Sequence, residues 1–225
     1  GFFPNCCGVL CGQRLAYPVL VRIRLNIVMD LESQIAKSAD WMTGAVPLLS
    51  GIHFDTTNRR RVALALLHLS VEHQTGIHVL VDNGVIGSAF ALIRPQLEAF
   101  VRGAWYHRCA SDEQVSAFIK GAKPPEISQL ISALENLEAF DGRLLSSVKA
   151  SAWGNLCDFT HGGTTQVKAR VTADEITSNY KHEHICGMLE SSAALSLLAT
   201  VEIASVIGDS GLAVKLKALH ARLYE

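Results

Sequence analysis

The chain has 225 residues, 49% apolar and only 18% charged, which is enough to bury a substantial core and excludes disorder as its dominant state. Lys and Arg number 20 against 21 Asp and Glu, a net charge of -1, so attraction to nucleic acid or an anionic membrane cannot come from the molecule as a whole. Only a local basic cluster would serve that end.

Cys6, Cys7 and Cys11 crowd the start, while Cys109, Cys157 and Cys186 lie singly in apolar stretches, which is not the spacing of a disulfide framework. The apolar run over 15–29 is broken by Pro18, Arg22, Arg24 and Asn26, so it fails as a membrane span and presents no convincing signal cleavage site. The expectation is a cytoplasmic protein with no membrane partner. Met29 is followed by Asp30-Leu31-Glu32, an ordinary helix opening with acids in its first turn. Composition changes there, which predicts a non-native or disordered extension over 1–28 and one folded domain over 29–225.

Apolar residues at Leu31, Ile35, Ala39, Met42 and Val46 predict a first helix from Met29 to Leu49, ended by Pro47 and Gly51. The row Val62, Leu66, Leu69, His73 and Ile77 predicts a second over Asn58 to Val81. Its end carries a competing signal, an Asn83-Gly84 turn between valine-rich arms, which reads as a hairpin. The helical reading is the expectation. A third helix, Val85 to Ala110, contains Pro95, which frees the carbonyl of Ala91 and predicts a kink. Ser111 and Gln114 form a capping box for a helix ending near Gly121, and Pro124-Pro125-Glu126 opens another reaching Ala139. The next runs from Arg143 to His161, closed by Gly162-Gly163. Thr172 and Glu175 form a second capping box for a short helix ending near Tyr180. A long apolar helix, Glu183 to Ile207, and an amphipathic one from Asp209-Ser210-Gly211 to Tyr224 complete the chain. There is no internal repeat and no linker, so the fold class is an all-α, single-domain bundle of seven to nine helices.

Within the third helix, Arg94, Glu98, Arg102 and Tyr106 recur every four residues, each rotated roughly 40° from the last, among Leu92, Ile93, Leu97, Phe100, Val101 and Trp105. Charges on so apolar a helix need partners. They read either as a ladder that pins helix packing or as an anion site, since the guanidinium fork suits phosphate and carboxylate. The second constellation is Trp153, Asn155, Asp158, Thr160 and His161. His161 falls at a helix C-terminus, and Asp158, three residues earlier, is in reach to orient its ring. The five-residue steps of His68, His73 and His78 scatter these rings around a helix, and His182-Glu183-His184 suits a solvated helix start, so no metal site and no cofactor is expected.

Arg94-Pro95-Gln96-Leu97-Glu98-Ala99-Phe100-Val101-Arg102-Gly103-Ala104-Trp105, with Phe159-Thr160-His161-Gly162-Gly163 downstream, resembles a set of uncharacterised bacterial all-helical proteins. The resemblance runs from about Met29 to Gly208. That set is distantly similar to the HEPN superfamily of helical bundles, many of which are metal-independent ribonucleases of toxin-antitoxin and phage-defence systems. What the resemblance implies is an HEPN-like bundle in which His107 helps deprotonate a ribose 2′-hydroxyl and Arg102 stabilises phosphate charge. Gly103 stands where HEPN nucleases usually carry a polar residue. Residues five apart on a helix lie roughly 140° apart around its axis, so Arg102 and His107 would converge only across a homodimer. The alternative is a non-catalytic helical module binding a partner protein or a small anionic ligand through Arg94, Glu98, Arg102, Tyr106, Asp158 and His161.

Overall fold

The computed structural model describes residues 30–140 and 142–225; the expectation for residues 1–28 lies outside them. The described residues form an all-α bundle: α1 (Leu31–Leu49), α2 (Asn58–Asp82), α3 (Ile86–Arg108), α4 (Asp112–Ile119), α5 (Ile127–Glu135), a 3₁₀ turn (Glu138–Phe140), α6 (Leu144–His161), α7 (Thr164–Lys168), α8 (His182–Ile207) and α9 (Ser210–Tyr224).

Helix starts follow the caps. The Asp30 carboxylate accepts from the amides of Glu32 and Ser33, Thr57 accepts from Arg60, and Asp209 from Leu212. Ser111 and Gln114 exchange both bonds of the capping box. The Asn83-Gly84 turn is a helix end and not a hairpin. Gly84 has φ +72, its amide donates to Val81, and the Val85 amide donates to Leu80, the paired bonds of a Schellman motif. Ile77 and Val81 are buried along the helical period, and that burial outweighs the strand preference of the valines.

α2 and α3 therefore run antiparallel, packed so closely that the backbone of Gly103 lies against Leu67. α8 forms the centre, packing against α1, α2, α3 and α9. It is long and apolar enough to cross a membrane by length and composition, with mean hydropathy 1.4, yet 78% of that stretch is covered by the rest of the bundle. Buried amides fix the register. Gln96 and Ser192 exchange two hydrogen bonds of 2.8 Å between α3 and α8, and the Gln74 amide donates to Ser38 between α2 and α1.

The second helix forms as expected; its most buried row is Ala63, Leu67, Ser70, Val71, Gln74 and Ile77, and Leu66, Leu69 and His73, which marked its period, lie one residue round the helix. Two expected elements differ. The helix after Pro124-Pro125 stops at Glu135, where its carboxylate accepts from the Ser146 amide and hydroxyl at the start of α6. The Thr172/Glu175 helix does not form. Thr172 Oγ1 accepts from the Glu175 amide as a capping residue would, but the Thr172 amide donates back to the Glu175 carbonyl and Val171 bridges Ile176 antiparallel. With Ile176 94% exposed, a helix there has no apolar face to bury, and so short a helix needs one.

Candidate functional site

Pro95 positions the site. It has no amide to donate to the Ala91 carbonyl, and the Thr160 hydroxyl of α6 approaches that oxygen at 3.3 Å while also bonding Leu156 at 2.8 Å. Phe159 stacks on Phe90, ring centroids 4.6 Å apart, and Phe90 on Tyr180 at 5.4 Å, so the last turn of α6 is clamped across the middle of α3. Between α2, α3 and that turn lies an open cleft of about 290 Å³.

The floor of the cleft is charged. Glu98 bridges two arginines, accepting from Arg94 Nε at 2.9 Å and from Arg102 Nη2 at 2.7 Å. Arg94 reaches α6 as well: Nη1 lies 2.8 Å from His161 Nε2 and 3.3 Å from Cys157 Sγ, and its guanidinium lies over the Trp153 ring at 4.8 Å. A guanidinium only donates, so His161 Nε2 accepts and the ring carries its proton on Nδ1. His73 enters from α2, where burial pushes its pKa below 6.5 against the opposing pull of Glu72. Among the residues lining the cleft, two guanidiniums against one carboxylate leave one positive charge in excess, and Arg102 Nε is buried with no partner among the described residues. Leu66 and Leu69 of α2 and Pro95 and Ala99 of α3 supply the apolar part of the lining.

Arg94, Glu98, Arg102 and His161 are therefore brought together, and two other expected ligand residues are not. Tyr106 is 1% exposed, packed between Trp105 and Phe118, because the four-residue stripe drifts into the core by its last member. Asp158 does not reach the His161 ring. Gly162, at φ +70, reverses the chain after α6, and the Asp158 carboxylate accepts from the Thr165 amide and hydroxyl at 3.0 and 2.8 Å. Those bonds hold its pKa below the ordinary value. A side chain at Gly163 would collide with that carboxylate. Asp158 is thus an anchor for α7.

His107 and Arg102 have different partners within the chain. His107 Nδ1 lies 2.6 Å from Glu202 Oε1, and Arg108 grips the same carboxylate with Nε at 2.6 Å and Nη2 at 2.8 Å. Burial works to raise the pKa of Glu202, and the bonds from His107 and Arg108 outweigh it, so the net direction is down. Gly103 holds no polar group because a Cβ there would lie 2.7 Å from Leu67 Cγ. His73, Leu66 and Leu69 escaped notice as site residues, although their spacing of three and four on one face was legible. Among the described residues no three His, Cys, Asp or Glu side chains are grouped to hold a metal ion.

A family model matches residues 67–225. The chain belongs to the family of unknown function DUF6988. The matched segment holds every residue lining the cleft except Leu66, and it begins after α1 and the first turns of α2. No curated protein and no solved structure matches the chain.

Proposed function

We propose that the protein is a helical binding module that takes a small anionic ligand in the cleft between α2, α3 and α6. The observation that carries this reading is the unbalanced charge: Arg94 and Arg102 share the single carboxylate of Glu98, and an anion entering beside them completes neutrality. Cys109, Cys157 and Cys186 form no disulfide with one another, which suits a reducing cytoplasm. Titration of the labelled protein with inorganic phosphate and with acetate, followed by amide chemical shifts, tests it. Shifts should centre on residues 94–102 and 153–161. Arg102→Gln should weaken binding about tenfold or more, the worth of one hydrogen bond to a charged group at about 1.5–3 kcal/mol. No shift with either anion overturns the reading.

A second reading, a metal-independent ribonuclease or toxin component working as a homodimer through Arg102 and His107, draws support from one observation. Glu202 engages His107 Nδ1 and leaves Nε2 without a partner among the described residues, the orientation a general base needs. Incubation with an RNA pool in EDTA tests it. Cleavage lost in a folded His107→Ala variant would establish it, and an uncut pool or full activity in that variant would reject it.

A further inference from the structure

We infer that the cleft selects a short aliphatic carboxylate, a monoanion whose head meets Arg102 and whose chain lies along Leu66, Leu69, Pro95 and Ala99; this rests on the anion-binding reading and narrows it.

Charge sets the head group. Arg94 and Arg102 contribute two positive charges and Glu98 one negative. His161 is neutral while its Nε2 accepts from Arg94, and burial disfavours the charged form of His73. Among the lining residues one positive charge is left, which a carboxylate balances and a phosphate dianion overbalances. Arg102 is the guanidinium with donors to spare, since only its Nη2 meets a partner among the described residues, whereas Arg94 is engaged on Glu98, His161 and Cys157.

The apolar part of the lining sets the tail. Leu69 is 39% exposed although it is large and apolar, and it lines the cleft together with Leu66, Pro95 and Ala99. None of these four side chains offers a hydrogen bond, so a sugar or a second charged group would be left unsatisfied there. A volume of about 290 Å³ sits at the lower end of small-molecule pockets, which favours a ligand of few atoms over a nucleotide or polymer.

The test is an amide-shift titration of the full chain with acetate, butyrate, hexanoate, inorganic phosphate and hexylammonium. Affinity should rise about two- to fourfold per methylene from acetate to hexanoate, the increment expected for partial to full burial of each methylene. Hexanoate should bind more tightly than phosphate, and hexylammonium should not bind. Leu69→Gln should flatten the dependence on chain length, while Arg102→Gln, or Arg102→Lys should the first fail to fold, should weaken every acid. Phosphate binding more tightly than hexanoate, no gain with chain length, or an unchanged gain in Leu69→Gln overturns the carboxylate inference; if either Arg102 variant still loses anions, the broader reading stands. Binding of no anion, or full binding retained in the Arg102 variants, overturns both.

Discussion

Glu98 is the residue on which the cleft turns, since both of its carboxylate oxygens are engaged by guanidiniums and its side chain is only 17% exposed. Removing it leaves Arg94 and Arg102 facing each other without compensation. An exposed pair is worth about 1 kcal/mol at most, and breaking a fully buried one costs about 3–5 kcal/mol. At this partial burial Glu98→Ala should cost about 2 kcal/mol, read from urea denaturation, with Glu98→Gln costing less because it keeps an acceptor. A midpoint unchanged within error would mean that the two arginines are stabilised by something other than this carboxylate. The Arg94-Glu98-Arg102 contacts were legible because residues four apart on a helix touch whatever the tertiary structure does. The partners of Asp158 and His161 were not. Three residues apart on α6, they are neighbours by spacing, but the turn at Gly162 offers Asp158 the amide of Thr165, and α3 offers His161 the guanidinium of Arg94.

At the scale of the element, close approach of α2 and α3 depends on Gly103, where a Cβ would stand 2.7 Å from Leu67 Cγ and 3.1 Å from its backbone amide nitrogen. The leucine side chain can move but the backbone cannot, so Gly103→Ala should force the helices apart. A cost of about 1–3 kcal/mol is expected from overpacking, partly offset by the better helix propensity of alanine. Because the same two helices form two walls of the cleft, the amide shifts of residues 66–73 should move as well. A variant as stable as the wild type, with those shifts unchanged, would show that the helix pair has slack. Helix existence was legible throughout α1 to α6 and in α8 and α9, from apolar period and caps. The period of α2 was legible from Val62, Leu66, Leu69, His73 and Ile77, but its most buried face, one residue round, was not, since Ser70 and Gln74 do not count as core by chemistry. Yet Ser70 is buried with its hydroxyl on the Gln96 carbonyl, and Gln74 bonds Ser38. Polar residues that find buried partners defeat a pattern built on hydrophobicity alone.

For the molecule as a whole, the bundle closes where α1 and α9 meet over α8, around the fully buried Trp41, whose Nε1 donates to Ser196 at 3.0 Å. His220 is enclosed in the same cluster, edge-on to Trp41 at 5.3 Å and stacked on Tyr224 at 4.6 Å. Its exposure is 1% and its Nε2 has no partner among the described residues, so burial penalises the charged ring and lowers its pKa from 6.5 to about 4. Above about pH 6.5 the ring is neutral in both folded and unfolded chains and contributes no pH dependence. Between about 6.5 and about 4 the unfolded chain takes up a proton that the folded one refuses, so stability falls as the pH drops. A shift of this size corresponds to about 3 kcal/mol at the acid end of the window. Glu202, whose pKa is lowered in the fold, also loses its contribution on acidification, but only once the pH falls below the ordinary carboxylate value of 4.5. The two are therefore separable by window and by substitution. His220→Phe keeps the aromatic packing and removes this titrating group, so its stability by urea denaturation should fall less than the wild type's from pH 6.5 to 4.5, the remaining slope including that of His73, whose pKa burial also lowers, and it should exceed the wild type at pH 5. An equal slope in both proteins would show that water or a movement of α9 already admits the imidazolium, and that the closure of α1 and α9 over α8 is looser than its packing implies.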